Sequence, residues 1–269
     1  ERARYWFTRA ADSGNAAAQY QVAVMASQGA GGPKDEATAA LYYKKSLQTW
    51  KKEADDGDSK AALWAALVYE RKLVPDSSPE KSVPYLLQAA ESGNLTAQGL
   101  LAFKYRDGLG VPQDAAKAVE WFEKAASRKD LGAVMELGIM FRDGKYLPPD
   151  REKAFHWFEK GAEWKDPYSM AALADMLLEG TPSAEQAARA LALYREAAAA
   201  GYFPAALKAA ELLQNGKGGE LDADEAYRLL RRVADATGDP KAMYMLAQVY
   251  YTRGDEAQGD SLMKASAQA

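Results

Sequence analysis

The sequence of 269 residues contains no cysteine. This absence excludes disulfide bonds, thiolate metal sites and a cysteine nucleophile. An oxidising compartment selects against stray thiols, whereas a reducing cytosol tolerates them. The absence therefore favours a periplasmic or otherwise extracytoplasmic location, which we state as an expectation.

Long apolar runs and the common catalytic motifs are also missing. No run approaches the roughly 18 apolar residues of a membrane-spanning helix, and a net charge of −4 argues against a nucleic-acid surface. The chain has no P-loop, GxGxxG or HExxH motif. Its single histidine, His156, has no Ser-His-Asp set around it. We therefore predict a protein that is not an enzyme, with no catalytic residue, metal site or cofactor.

A repeat of 36 residues is present along the chain. The Ala-Ala pair at 125–126 has counterparts at 89–90, 161–162 and 197–198. Within one unit, the apolar residues follow the i, i+3, i+4, i+7 spacing of a buried helical stripe. A strict period of this kind indicates a solenoid, in which each unit stacks on its neighbours. We expect the recurring aromatic residues to be core, namely Trp6, Tyr42, Tyr43, Trp121, Trp157 and Tyr194.

Two sequence patterns within the repeat resemble a known family. One is Ala-x-x-Trp-Phe-x-Lys-Ala-Ala at 118–126, and the other is the Gly-Leu-Gly-Val-Pro loop at 108–112, followed by Asp114. Both resemble the Sel1-like repeat, a relative of the tetratricopeptide repeat found in bacteria. The resemblance covers essentially the whole chain. It implies an all-α fold, an α/α solenoid with a right-handed superhelix, used as a binding scaffold.

We predict one solenoid domain over 1–269, with about seven repeats. Position 1–12 matches the second helix of a repeat whose first helix is missing, so we expect an upstream segment such as a signal sequence. The helix at 35–55 carries a seven-residue insertion, and 255–269 forms a C-terminal capping helix. The predicted helices are 1–12, 16–28, 35–55, 59–71, 79–91, 95–107, 114–127, 131–143, 150–163, 167–179, 184–199, 204–215, 222–236, 240–252 and 256–267.

The candidate binding residues are those that break the repeat. First helices usually line the concave side of such a solenoid, and positions off their apolar stripe point into it. In the middle of the chain these positions hold Phe103, Met135 and Ile139, with Arg106 and Arg142 beside them. An apolar centre with arginine at its edge is typical of a protein-binding hot spot. The alternative is that some of these apolar residues pack against the next repeat.

Three further positions complete the predicted partner-binding set. In the following repeats, the positions equivalent to Phe103 and Ile139 are acidic, namely Asp175 and Glu211. The groove would then carry both positive and negative charge. Trp164 occupies a helix–helix turn where other repeats carry residues compatible with exposure. It is either an exposed anchor or a residue that packs over its neighbours.

The predicted function is a scaffold that binds a partner protein in its concave groove, as a monomer. The resemblance implies two narrower roles. One is an envelope immunity protein that neutralises a secreted toxic effector, such as a type VI secretion lipase. The other is an assembly scaffold for secretion or exopolysaccharide machinery. A virulence protein that binds a host factor is a further alternative. An enzyme or sugar-binding module would need convergent acids or a metal cluster, which the sequence does not show.

Overall fold

The computed structural model describes residues 1–219 and 221–268. These residues form fifteen α-helices and, within the described ranges, no strand. The helices are α1 Arg2–Asp12, α2 Ala16–Gln28, α3 Glu36–Asp55, α4 Ser59–Glu70, α5 Pro79–Glu91, α6 Leu95–Asp107, α7 Ala115–Ala126, α8 Leu131–Asp143, α9 Arg151–Glu163, α10 Pro167–Leu177, α11 Ala184–Ala199, α12 Phe203–Asn215, α13 Ala223–Thr237, α14 Pro240–Thr252 and α15 Glu256–Gln268. The predicted helix ends differ from these by no more than two residues, and Ala269 of the predicted capping helix lies outside the described residues.

Short polar side chains define where the helices begin. Asp114 accepts a hydrogen bond from the backbone N–H of Lys117, and Asp150 accepts one from that of Lys153, each at 3.0 Å. A carboxylate in this position satisfies an end amide and meets the positive end of the helix dipole. These bonds lower the pKa of Asp150 below its usual value. Both aspartates are therefore N-terminal caps, of α7 and α9 respectively.

The chain forms two compact units, Glu1–Ala133 and the residues from Val134 onward. In the first unit each helix from α1 to α7 packs against the next one. In the second unit the same order of contacts runs from α9 to α15. Packing between consecutive helices, repeated along the chain, is the arrangement of an α/α solenoid.

Small residues allow the first helix of each two-helix repeat to approach its neighbours closely. One position of this helix is alanine or glycine in every repeat, and all of these residues are buried. At the glycine of this register, Gly138, an added Cβ would lie 2.7 Å from Cδ1 and Cζ of Phe158. Glycine at this position is therefore required by the close contact between α8 and the Phe158 ring.

One expectation about aromatic residues needs correction. Trp6, expected to be core, is 61 % exposed on α1. The guanidinium of Arg9, which is also exposed on α1, lies 5.4 Å from the centroid of the Trp6 ring. Trp164, for which an exposed anchor and packing over its neighbours were the two alternatives, is half-buried directly after the last residue of α9. The other recurring aromatics are buried or half-buried, as expected from their spacing.

Candidate functional site

The predicted binding residues are distributed over the two units. Phe103 and Arg106 lie on α6 in the first unit. The Phe103 ring is half-buried and meets the buried Phe122 ring edge-on, with 5.1 Å between centroids. The Arg106 guanidinium lies over the Phe103 ring at 4.7 Å and forms an ion pair with Asp107. Phe103 thus contributes to packing within its own repeat, in addition to any binding role.

The remaining predicted residues belong to the second unit. Met135 and Ile139 are half-buried on α8, and Glu211 is exposed on α12. Arg142, in the last turn of α8, lies 5.6 Å from the centroid of the Phe158 ring. Its Nε donates a hydrogen bond of 2.6 Å to Asp143. This bond is the largest cause of a raised pKa at Arg142, and Tyr168 adds to it.

Three alternate helices of the second unit, α8, α10 and α12, form a cavity of about 70 Å³ that we name the Arg142 cavity. Ala171 and Ala172 leave the space open because their side chains are short. The residues with functional groups or rings at its wall are Arg142, Tyr168, Asp175, Tyr202, Pro204 and Lys208. The Arg142 cavity therefore brings together two of the predicted site residues, Arg142 and Asp175.

Asp175 is held by two donors. It accepts hydrogen bonds at Oδ1 from the Tyr194 hydroxyl and from the Lys208 ammonium group. Tyr194 is buried, and this burial is the main cause of its raised pKa, followed by its hydrogen bond to Asp175. The carboxylate is thus fixed in place and its charge is partly offset by Lys208.

Two tyrosines form the aromatic wall of the Arg142 cavity. The rings of Tyr168 and Tyr202 meet edge-on with 6.1 Å between centroids, and Tyr168 also contacts the ring of the buried Phe158. Burial raises the pKa of Tyr202, and the neighbouring Tyr168 and Asp175 add to this rise. At neutral pH its hydroxyl is protonated, as in an ordinary tyrosine, and can act as a hydrogen-bond donor.

Sequence reasoning missed Tyr168, Tyr202 and Lys208. The residues at the position equivalent to Lys208 in other repeats include Trp64, Leu100 and Glu136, and their side chains differ widely in chemistry. That variability was a usable signal, since a position that only packs would keep one kind of side chain. Tyr202 lies just before the first residue of α12. Outside a helix, helical periodicity does not predict the direction in which a side chain points.

A second group of aromatic residues breaks the repeat in the first unit. The lengthened α3 supplies Trp50, which is buried and stacks on Trp64 of α4 with 5.3 Å between ring centroids. Tyr20 of α2 contacts both indoles, and its hydroxyl accepts a hydrogen bond of 2.7 Å from Arg71. Trp64 remains 38 % exposed. The insertion in α3 thus supports an exposed tryptophan, while Trp50 itself is not at the surface.

Across residues 1–219 and 221–268, no three histidine, cysteine, aspartate or glutamate side chains are grouped so that they could hold a metal ion. Within the same ranges, no helix combines the length and apolar character that crossing a bilayer requires.

Solved structures show the same fold in other proteins. The protective antigen c5321 of uropathogenic Escherichia coli, which displays an SLR fold, is 26 % identical, with a TM-score of 0.67. The match covers 98 % of this chain and 59 % of that chain, so the present chain spans little more than half of c5321. A Sel1 repeat protein from Oxalobacter formigenes is 24 % identical over 81 % of this chain and 84 % of that chain, with a TM-score of 0.55. No curated protein matches the chain.

The family model of the Sel1 repeat matches most of the sequence. It identifies eight segments, at residues 1–15, 16–48, 69–94, 96–130, 132–163, 167–202, 204–237 and 240–261. These segments cover more than half of the chain, and most of them span two consecutive helices. The motifs, the consecutive helix packing and the matched segments agree, and the chain belongs to the Sel1 repeat family.

Proposed function

We propose that this chain is a scaffold that binds a protein partner on the surface around the Arg142 cavity. The observation that supports this most strongly is the convergence of three alternate helices on one opening. They place Arg142, Tyr168 and Tyr202 there, and all three are half-buried. Tyrosine and arginine in partly desolvated positions are the residues that contribute most to protein–protein binding.

The size of the cavity favours a protein partner over a small molecule. Pockets for small molecules usually have volumes of about 300–1,000 Å³, whereas the Arg142 cavity has about 70 Å³. A partner protein could insert one side chain here and obtain most of its contact area from the surrounding helices. The Sel1 repeat fold is in general a non-catalytic scaffold, and we propose that this chain has no catalytic activity of its own.

Substitutions at the Arg142 cavity test this proposal. The immobilised chain is incubated with a lysate of the source organism, and retained proteins are identified by mass spectrometry. A partner retained by the wild type should be lost with Tyr168→Ala and Arg142→Ala, since truncating a central anchor costs about 2 kcal/mol, or roughly thirtyfold in Kd. Lys117→Ala, on the exposed face of α7, is the control and should retain it.

Two results would contradict the proposal. Retention of the same proteins by wild type and both cavity variants would place the partner elsewhere. Loss with the control as well would indicate a general charge effect. Met135→Ala, Ile139→Ala and Glu211→Ala extend the test to the other predicted positions of the second unit. Phe103→Ala and Arg106→Ala test the predicted positions of the first unit by themselves.

A finer version of the proposal is neutralisation of a toxic effector, such as a secreted lipase, in the cell envelope. It rests on the family resemblance, because bacterial Sel1-like proteins include such inhibitors. Co-expression tests it: the chain should restore growth of cells that produce the partner identified above, and Tyr168→Ala should not. A partner that is harmless when expressed alone would favour the assembly-scaffold alternative. Fractionation of the source cells would test the proposed extracytoplasmic location.

A further inference from the structure

We infer that a second groove, which we name the Leu221 groove, binds an extended segment of a partner protein in which an aliphatic residue precedes proline. The groove lies in the second unit and has a volume of about 620 Å³. The residues that line it are Gln214, Leu221, Ala223, Gln248, Val249, Tyr251 and Thr252. The described residues at the wall of the Arg142 cavity are all different, so this site goes beyond the proposed function.

The Leu221 groove exposes apolar side chains to solvent. Leu221, which lies shortly before α13, is 74 % exposed, and Tyr251, in the last turn of α14, is 38 % exposed. The Tyr251 hydroxyl donates a hydrogen bond of 2.8 Å to Asp260 of α15, which holds the ring at the groove wall. Val249 adds a buried aliphatic side chain to the same wall. Exposed leucine and tyrosine grouped in one groove indicate a binding surface.

A short connection between α14 and α15 leaves the groove open. The connection between α6 and α7 spans residues 108–114, whereas that between α14 and α15 spans only 253–255. In the longer connections, the N–H of an aspartate donates to a backbone carbonyl nine positions earlier, at Asp35, Asp114, Asp150 and Asp222. In the short one, the N–H of Asp255 donates to Tyr250, five positions earlier.

The longer loops pack on the second helix of the preceding repeat. At Gly110, in the loop after α6, an added Cβ would lie 2.7 Å from backbone atoms at the start of α5. At Gly218, the equivalent position after α12, it would lie 2.8 Å from Cδ2 of Leu191 on α11. By the same arrangement, a longer loop after α14 would lie against α13, at the end where Ala223 lines the groove. The short turn itself reaches only the edge of this place, where Arg253 donates to the Ala223 carbonyl at 3.4 Å.

The sequences of the loops indicate what chemistry fills such a place. In three of them an aliphatic residue precedes proline, at Val74-Pro75, Val111-Pro112 and Leu147-Pro148. The aliphatic residues are buried or half-buried, and the prolines are exposed. A residue before proline is restricted to extended conformations. A partner segment with this dipeptide would therefore present its aliphatic side chain to the Leu221 groove and lose little backbone freedom on binding.

The lining of the Leu221 groove suits an uncharged peptide. The described lining residues carry no charge, and Gln214, Gln248 and Thr252 can donate and accept hydrogen bonds with a peptide backbone. A volume of about 620 Å³ also lies within the range of small-molecule pockets. However, the equivalent places in the other repeats hold polypeptide, and this observation favours a peptide segment over a small molecule.

Nuclear magnetic resonance titration with a short peptide tests the inference. The probe is the sequence of residues 108–113 as a free peptide, acetyl-Gly-Leu-Gly-Val-Pro-Gln-amide, and the control peptide has aspartate in place of valine. The probe should shift backbone signals at the end of α12, the start of α13 and the end of α14. The control peptide should bind about tenfold more weakly or less, because a carboxylate without a partner is unfavourable in an apolar groove.

Variants of two exposed leucines show where the peptide binds. Leu221→Ser should weaken binding about tenfold, which corresponds to about 1.4 kcal/mol and to the loss of most of a leucine contact. Because Leu221 is exposed, the variant should keep the thermal midpoint of the wild type. Leu109→Ser, the matched change at an exposed leucine of the first unit, should leave binding unchanged.

Three results would overturn the inference. The first is equal binding of the two peptides or of Leu221→Ser and the wild type, and the second is the lack of any shift at the groove. The third is a wild-type dimer in sedimentation velocity that Leu221→Ser converts to a monomer, since a second copy would then occupy the groove. Tyr168→Ala and Arg142→Ala should not change peptide binding, so failure of this inference and failure of the proposed function are distinguishable.

Discussion

At two turns of the chain, lysine occupies a backbone conformation that other repeats give to glycine. Lys129 and Lys165 have φ values of 64° and 62°, and the equivalent residues Gly93 and Gly201 have 84° and 93°. A residue with a Cβ is disfavoured in this left-handed region by about 1–2 kcal/mol. Lys165 gains an ion pair of 2.7 Å with Glu196 in return. The central repeats therefore carry local backbone strain that their neighbours avoid.

We predict that Lys129→Gly stabilises the chain by about 0.5–1 kcal/mol. Relief of the left-handed strain should exceed the extra entropy that glycine gives to the unfolded chain. Urea unfolding measures the difference. In the reverse control, Gly201→Ala should lose about 0.5–1 kcal/mol, the same balance with the opposite sign, because no atom lies within 4 Å to clash and only the backbone is strained. A destabilised Lys129→Gly variant would mean that the contacts of the lysine side chain outweigh the strain.

Tyr194 should make the chain sensitive to alkaline pH. Its pKa is raised in the folded state above the ordinary value of 10.0. Above pH 10.0 the unfolded chain loses this proton while the folded chain keeps it, so stability falls as the pH rises, by up to about 1.4 kcal/mol per pH unit. Tyr194→Phe should cost about 1–2 kcal/mol at neutral pH, because Asp175 loses a donor, and should flatten the alkaline decline.

Chemical unfolding at several pH values measures both effects of Tyr194→Phe. The matched control is Tyr244→Phe, since Tyr244 is 45 % exposed, and it should change neither value appreciably. A Tyr194→Phe variant that loses stability above pH 10 as steeply as the wild type would show that other groups cause the decline.

Individual site residues were only partly predictable from the sequence. Arg142 and Asp175 could be found because they depart from a register that packing would otherwise fix. Tyr168 and Tyr202 lie at or before the first residues of their helices, where the direction of a side chain depends on the turn. That direction is set by contacts between residues from different repeats, such as that between the two tyrosine rings.

At the scale of helices, one register determines how closely neighbouring elements approach. Alanine or glycine is buried at each position of this register, and the α8 member is Gly138, whose Cα faces the Phe158 ring of α9. In contrast, Gly99 of α6 has no atom within 4 Å of the place where a Cβ would be added. Two helical glycines in the same fold thus differ completely in their surroundings.

These two glycines predict opposite effects of one substitution. Gly138→Ala should destabilise the chain by about 1–3 kcal/mol through overpacking, and Gly138→Leu should do so at least as strongly. Gly99→Ala should stabilise it by about 0.5–1 kcal/mol, as alanine does in an unobstructed helix. Thermal unfolding measures both, and an unchanged midpoint for Gly138→Ala would mean that α8 and α9 can separate at little cost.

The helices themselves were predictable almost to the residue. Capping aspartates, glycines after first helices and the 36-residue period all indicate the same boundaries. The insertion in α3 was visible too, but its consequence was not, because the stacking of Trp50 on Trp64 depends on α4 lying beside it. The exposure of Trp6 also departed from the repeat pattern, since spacing alone does not show what covers a position.

At the scale of the whole molecule, the fold explains how a chain without catalytic motifs can have a specific surface. Packing between consecutive helices requires an apolar face on each helix. At positions outside this face, the residues of alternate helices are free to vary. In the second unit that freedom yields the Arg142 cavity, and in the first unit it yields the Trp64 stack. The identity of the proposed partner depends on chemistry that a repeat pattern does not encode.

Hydrogen exchange, measured on the chain with and without the captured partner, tests the proposed surface most directly. Peptides from the last turn of α8, the first half of α10 and the first half of α12 should exchange more slowly in the complex, because these segments line the Arg142 cavity. The exposed sides of α9, α11 and α13 should exchange as in the free chain. Protection confined to those helices, or to segments around Trp64 and α3, would contradict binding at the Arg142 cavity.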